Sequence, residues 1–466
     1  MSSIKKNFLY NAFYQILVII IPVITTPYIS RILGADGIGI YSYSYSIAQY
    51  YALFIMLGLN NYGNRTIASV RDNKYLLKAT FWSIYALQLG LGLIVVFTYI
   101  IYAFWFSNNH SAAIIMSIYV LSSCFDINWF FFGLEKFRAT TIRNVLIKIL
   151  TTILIFFIIR EPQDVYKYCL IMVVSMLTSQ LVLWPYIKQI CGIYRPSWKE
   201  IKVHIKPNLV LFLTVLAVSM FKIMDKIMLG FMTNTAQVGF YESSERVISI
   251  PTALVTALGT VMLPRMSNLR GRNSETNSLL YKSILFAMFL STSMSFGIMS
   301  VSKTFVPLFY GPGYELCIAL YLILLPSCIF FAFGNVLRTQ YLLPNEFDSI
   351  YVKSAFIGAG INIVINLCLI PYFGAIGAAI GTLIAEMSVC IYQVYKIRKN
   401  IAVNRYIISS VPFVLSGVVM FLLLFNIDLS VKSEILKLCI KIIIGILVYS
   451  TSFFLQLYIY RKLFKR

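Results

Sequence analysis

KIMLGFMTNTAQVGFYESS, Lys226 to Ser244, has an earlier counterpart in RILGADGIGIYSYSYS, Arg31 to Ser46. Both share a Leu-Gly that closes one apolar run and an I/V-G-I/F-Y that opens the next. Each of the four flanking runs is about 20 residues long, the length an α-helix needs to cross a bilayer. The same turn between the same kind of membrane span, used twice, makes the chain an internally duplicated bundle of helices.

The rest of the sequence extends this pattern. The 466 residues are 59% hydrophobic and only 12% charged, against roughly a quarter charged in soluble domains. About fourteen spans of bilayer length are predicted at 8–30, 41–62, 79–106, 112–133, 143–160, 166–188, 209–232, 240–263, 282–304, 315–337, 350–370, 373–395, 406–427 and 436–460. The first is too long for a secretory signal core and lacks a small-residue cleavage site, so it is expected to stay in the mature protein. The predicted fold class is therefore an all-α polytopic membrane protein.

Charge supports that count. With a cytoplasmic N-terminus and alternating spans, most Lys and Arg fall on the inner side and few on the outer, as the positive-inside rule requires. Both termini are then cytoplasmic. The net charge of +22 is explained by basic inner loops such as KIRKN, Lys396 to Asn400, and the tail RKLFKR, Arg461 to Arg466, facing anionic lipid. Nucleic acid is not an implied partner.

A weaker echo links FFFGLEKFRATT, Phe130 to Thr141, with FAFGNVLRTQYL, Phe331 to Leu342. Both repeats are offset by six spans, an even number, so the halves are parallel repeats related by an axis along the membrane normal. The expected organisation is a lobe at 1–190, a cytoplasmic connection at 191–208, a second lobe at 209–395, and two additional helices with a basic tail at 396–466. The connection carries Trp198, Ile201, Val203 and Ile205 among lysines, which suits either a helix lying on the membrane surface or a plain tether.

Several chemistries lack their residues. The cysteines at 124, 169, 191, 317, 328, 368, 390 and 439 have no metal-ligand or redox spacing, so neither a disulfide nor a metal site is expected. His110 and His204 both fall in loops. No Walker-type glycine loop is present, and no soluble stretch is long enough for a nucleotide-binding domain. No cofactor is expected, and any transport must draw on a proton or sodium gradient or on a partner.

Lys222, Asp225 and Lys226 interrupt the apolar span 209–232. At i, i+3 and i+4 they share one helix face, and each would cost about 2.5–3.5 kcal/mol against lipid. They must face a cavity or partners. One reading is structural: Asp225 neutralises one lysine and the other pairs with Glu242 or Glu245 of the next span, with Arg246 completing a charge-neutral set. The other reading is functional: the same groups exchange partners with an anionic substrate, or a carboxylate takes up a proton during coupling.

Asp126, beside Asn128 and Trp129 in span four, has Arg143 or Lys148 of span five as candidate partners. Gln49, Asn60 and Asn61, with Tyr41, Tyr43, Tyr45 and Tyr50, offer hydrogen bonds and flat rings for sugars, although tyrosine is also ordinary membrane-interface material. Glu386 is either a buried partner or a coupling site. Arg31 and Lys441 are expected to snorkel. Gly374, Gly377 and Gly381 are expected to let two helices approach closely.

The sequence also resembles a known family. KNFLYNAFYQ (Lys6 to Gln15), PYISRILGADGIGIYS (Pro27 to Ser42), GLNNYGNR (Gly58 to Arg65) and FDINWFFFGLEKFRATTIRN (Phe125 to Asn144) occur in order. MDKIMLG with VGFYESSERV (Met224 to Gly230, Val238 to Val247) and PYFGAIGAAIGT (Pro371 to Thr382) follow. Together they are similar to the polysaccharide transporters, or Wzx-type flippases, of the multidrug/oligosaccharidyl-lipid/polysaccharide (MOP) exporter superfamily. The resemblance implies two six-helix lobes plus two C-terminal helices, and transfer of polyprenyl-diphosphate-linked oligosaccharide across the bacterial cytoplasmic membrane for capsule, O-antigen or a related polymer. Glycosyltransferases and a polymerase are its implied protein partners. Related lipid II flippases carry an arginine and an aspartate where this chain has Thr25 and Thr26, so a peptidoglycan-precursor role is not implied. Two rival functions stand beside it: a cation-coupled multidrug exporter of the same superfamily, and a membrane oligosaccharide polymerase or ligase, an enzyme for which the short outer loops leave little room.

Overall fold

The computed structural model describes residues 3–269, 273–427 and 429–464, and among them every regular element is helical. Lys465 and Arg466 of the basic tail lie outside the described residues. The chain divides into two compact units, Met1–Ile227 and Met228–Arg466, with the division inside one helix.

The first unit begins with α1 (Ser3–Met56), which is two helices in register terms, broken at Gly34. This is the turn of the first repeat, and one residue makes it: Gly34 has φ 65° and ψ −179°, a region essentially restricted to glycine. There follow α2 (Leu59–Val70), α3 (Lys74–Trp105), α4 (His110–Cys124), α5 (Asn128–Gly133), α6 (Phe137–Ile158), α7 (Val165–Leu181), α8 (Trp184–Ile190), α9 (Trp198–Lys202) and most of α10 (Ile205–Met232). Helix α1 packs on α3, α4, α6 and α7, and α4 also packs on α7. The aromatic core around Trp129, Phe130, Phe131 and Phe81 is fully buried. Tyr41 stacks on Tyr45 and meets Tyr168 edge-on, while Tyr45 leans on Tyr119, so these rings serve helix packing.

The connection 191–208 is docked rather than loose. Ser197 and Glu200 form a capping box at α9, the Trp82 indole donates to the Gly192 carbonyl at 2.9 Å, and Gly58 N donates to the Asn208 side chain at 2.9 Å. His204 Nδ1 lies 2.6 Å from the Tyr62 hydroxyl.

The second unit holds the end of α10, then α11 (Thr235–Asn268), α12 (Asn273–Tyr310), α13 (Leu316–Leu324), α14 (Ser327–Leu337), a π-helical turn (Arg338–Leu342), α15 (Asp348–Phe373), α16 (Ala375–Ile397), α17 (Val403–Leu424) and α18 (Glu434–Phe464). The second repeat's turn is more open than the first: Asn234 caps α11 by accepting from Gln237 N at 3.1 Å. Helix α12 packs on α14, α17 and α18, and α15 lies along α16. A Cβ on Gly377 would sit 2.6 Å from the Leu369 carbonyl, so the glycine series does permit close approach of α15 and α16.

A helix lies at each of the predicted spans. Eleven helical segments among the described residues are long and apolar enough to cross a membrane by length and composition. The others predicted are the two legs of α1 and the charge-bearing α10. The protein is a multi-pass membrane protein. Span four is interrupted between α4 and α5, and span ten, its repeat partner, between α13 and α14. The echoed loops after them share one device: Glu135 and Glu346 adopt φ of 57° and 61°, each two residues before the next helix starts. The π-helical turn belongs to the second loop alone.

Candidate functional site

The break in span four exposes backbone groups inside the membrane, where each must find a partner. Gln88 of α3, fully buried, donates through Nε2 to the Ser123 carbonyl and the Asp126 carbonyl, both at 2.9 Å. Its Oε1 accepts the Trp129 indole proton at 3.1 Å. The Trp184 indole donates to the Phe125 carbonyl at 3.1 Å. Two side chains, Gln88 and Trp184, thus take up carbonyls left by the interruption, and Gln88 also accepts the Trp129 indole proton.

The charged members of the cluster continue from there. Asp126 Oδ1 accepts from Asn128 N at 2.9 Å and from Asn128 Nδ2 at 2.7 Å, placing a carboxylate at the start of α5 where the helix dipole favours it. Asn128 also reaches Gln180 Oε1 at 3.3 Å, and its Oδ1 accepts from Arg143 Nη2 at 3.0 Å. Arg143, 6% exposed, donates in addition to the Ser179 carbonyl at 2.9 Å and to Asn144 Oδ1 at 2.6 Å. Ser179 lies in the last turn of α7, whose carbonyls lack intrahelical donors. Asp126 and Arg143 are thereby linked through Asn128, with one amide standing between the two charges.

Trp129 is sealed in the core, where Gly63 gives it room: a Cβ on Gly63 would lie 2.6 Å from the ring. In this conformation it is a packing residue. Gln49 is half-buried on the second leg of α1, and Asn60 and Asn61 are exposed at the start of α2.

Positions 222, 225 and 226 share one face of the continuous α10. Asp225 is 2% exposed and Lys226 is half-buried. The Lys222 side chain lies outside the described residues. In the second unit, Glu242, Glu245 and Arg246 are all half-buried on α11. Glu242 accepts from Arg246 Nε at 2.9 Å, a partner one turn away on its own helix. Glu386 is half-buried on α16. Lys441 departs from expectation: it is 3% exposed, turned inward between helices and not extended to the surface.

Sequence reasoning singled out Asp126, Trp129 and Arg143 but missed Gln88, Asn144, Gln180 and Trp184. An amide such as Gln88 in the apolar span 79–106 was a usable signal, since a buried amide demands partners.

An all-helical, internally duplicated bundle with ionisable groups buried along its spans is the architecture of a membrane transporter. The match to the family described as "Polysaccharide biosynthesis protein" runs over residues 4–270, more than half of the chain, and the protein belongs to that family. It is 22% identical over 404 residues to the "Putative O-antigen transporter" of Escherichia coli (strain K12), covering 85% of this chain and 97% of that one. It is 21% identical over 286 residues, 60% of each chain, to the "Probable low-salt glycan biosynthesis flippase Agl15" of Haloferax volcanii. Among solved structures, the lipid II flippase MurJ in an inward closed conformation superposes with a TM-score of 0.68 at 17% identity, covering 99% of both chains. Its fold is the fold of this chain.

Proposed function

We propose that this protein is a flippase that moves polyprenyl-diphosphate-linked oligosaccharide across the bacterial cytoplasmic membrane, supplying repeat units for a surface polysaccharide. It works as a transporter, by alternating access between lobes at 1–190 and 209–395 joined by 191–208, with both termini cytoplasmic. Family membership and the named relatives support the substrate class. The observation that carries the reading is the burial of ionisable groups in apolar helices, Asp225 at 2% and Arg143 at 6% exposure. Such groups in membrane spans mark ion and substrate pathways.

The physical task fits the residues. A polyprenyl tail is already soluble in lipid, so the protein has only to shelter a diphosphate of about two negative charges and a hydroxyl-rich glycan. Lys222, Lys226 and Arg246 supply positive charge, and Asp225, Glu242 and Glu245 balance it. Phosphate then displaces a carboxylate in one state, and proton or sodium uptake by the carboxylates returns the site to its resting pairing. Glycosyltransferases that build the lipid-linked unit and a polymerase that consumes it are the expected functional partners.

The test is transbilayer movement of a labelled polyprenyl-diphosphate glycan in proteoliposomes. Lys222→Ala and Lys226→Ala should each slow movement at least tenfold, and imposing a proton or sodium gradient should change the wild-type rate. Unaltered rates in both variants would leave the pair with a structural role only.

A further inference from the structure

The cluster at the break in span four leaves Lys148 out. Asp126, the carboxylate that the sequence offers it, is taken by Asn128 and, through that amide, by Arg143. Among the described residues the Lys148 side chain makes no hydrogen bond or ion pair. Helix α6 packs on α1, α5 and α7, and the sequences of all four helices contain one acidic residue, Asp36. Tyr28 of α1 already meets the end of α6, donating to the Ile159 carbonyl at 2.6 Å. Asp36, past the Gly34 turn, is therefore beyond the end of α6 and not beside Lys148.

Depth and direction separate it from an ordinary membrane-edge lysine. Lys148 stands eleven residues after Phe137 and ten before Ile158, about 15 Å from either end of α6 at about 1.5 Å per residue. That is near the middle of a hydrocarbon layer about 30 Å thick, where an ammonium without a carboxylate is costly to keep. The exposed Leu146, Leu150, Ile153 and Phe157 mark the lipid side of the helix. At about 100° per residue, Lys148 projects from the opposite side. It is half-buried, with its remaining exposure turned away from lipid.

We infer that Lys148 and Asn144 form an anion-binding pair on α6 that holds the diphosphate of the transported lipid at mid-depth, an inference that rests on the transport reading above. Asn144 is one helical turn before Lys148, on the same face, and half-buried. Its Oδ1 accepts from Arg143 Nε at 3.0 Å and from Nη2 at 2.6 Å. Two donations to that oxygen settle which end of the amide is which. Nδ2 is thereby turned the other way, and among the described residues it has no acceptor. Two donors without acceptors on one face of a membrane helix are what an anion requires. The phosphates of bilayer phospholipids stay in the headgroup layers, so an anion that reaches this depth is one in transit. Arg143 serves as the positioning residue, holding Asn144 in place.

The experiment uses the purified full-length protein in mixed micelles, with bound lipid counted by intact-complex mass spectrometry during titration with undecaprenyl diphosphate, undecaprenol or phosphatidylglycerol. Wild type should retain the diphosphate over the other two. Lys148→Met should weaken that retention on the order of tenfold, the worth of one hydrogen bond to a charged group. Lys148→Arg, which keeps the charge, should stay within about threefold of wild type. Asn144→Asp keeps an oxygen for Arg143 and gives Lys148 a carboxylate one turn away, so it should abolish retention with both positive charges in place. Lipid-free melting temperatures should not fall in K148M or N144D, because neither loses an internal partner; a fall in K148M would assign Lys148 a structural role instead. Equal retention of undecaprenyl diphosphate by wild type and K148M, or a preference for phosphatidylglycerol that K148M removes, would overturn the assignment and leave the transport reading standing. A wild type that retains no undecaprenyl diphosphate would overturn both.

Discussion

Arg143 Nη2 donates to Asn128 Oδ1 at 3.0 Å, and the same amide donates onward to Asp126 at 2.7 Å. A single asparagine therefore relays between a buried cation on α6 and a carboxylate at the break in span four. The arrangement anchors three elements, because Arg143 also holds the Ser179 carbonyl of α7.

Arg143→Gln should destabilise the first unit by about 1–3 kcal/mol for each buried acceptor left without a donor. Arg143→Lys should be intermediate, because a point charge cannot reproduce the planar fork that meets Ser179, Asn144 and Asn128 together. Thermal unfolding in detergent should rank wild type above R143K above R143Q. Equal melting of all three would mean that the relay contributes nothing to the fold.

Gln88→Leu preserves approximate volume and removes every hydrogen bond at the α4–α5 break that Gln88 makes. The Ser123 and Asp126 carbonyls and the Trp129 indole each lose a partner, at a cost of about 1–3 kcal/mol for a buried unsatisfied group. The loss should be local. Amide hydrogen exchange should accelerate in α5 and the end of α4 and stay unchanged in α11 to α18.

The helices were legible because a bilayer demands uninterrupted apolar length, and that demand is written residue by residue. The break at Phe125–Ile127 was not legible from hydropathy, since the apolar run continues across it. What creates it is visible only when Gln88 and Trp184, far away in sequence, arrive to satisfy the freed carbonyls. Lys222, Asp225 and Lys226 were readable as one helix face from spacing alone. Lys441 was misread because its place near the end of a span suggests snorkelling, whereas the packing of α18 on α12 and α17, remote in sequence, decides its burial. The docking of 191–208 through Trp82 and Asn208 depends on contacts between remote segments, so spacing left a surface helix and a tether equally open.

Two glycines separate backbone strain from steric crowding. Gly34→Ala should cost about 1–3 kcal/mol for a forbidden backbone region, although nothing lies within 4 Å of the added Cβ. Gly34→Asn should fare no better, since ψ −179° is not the left-handed helical conformation asparagine tolerates. Gly63→Ala should cost a similar 1–3 kcal/mol by overpacking, because its Cβ would press on Trp129 at 2.6 Å. Trp129→Phe should partly rescue G63A and leave G34A unchanged, a difference that paired melting curves would read directly.

His204 makes the docked connection sensitive to acid. Burial holds its pKa below the ordinary 6.5, because desolvation disfavours the charged imidazolium. The unfolded chain therefore binds the proton more readily than the folded one. Stability is full above the unfolded value, declines as pH falls below about 6.5, and stops declining once the folded group has also titrated. The Tyr62 hydroxyl, 2.6 Å from Nδ1, can then act towards the ring only as an acceptor, because both nitrogens of the imidazolium donate. Limited proteolysis of the connection should accelerate between pH 7.5 and pH 5.5 in the wild type. His204→Gln, which cannot titrate, should cut at a nearly constant rate across that range; a persistent acceleration in that variant would place the sensing group elsewhere.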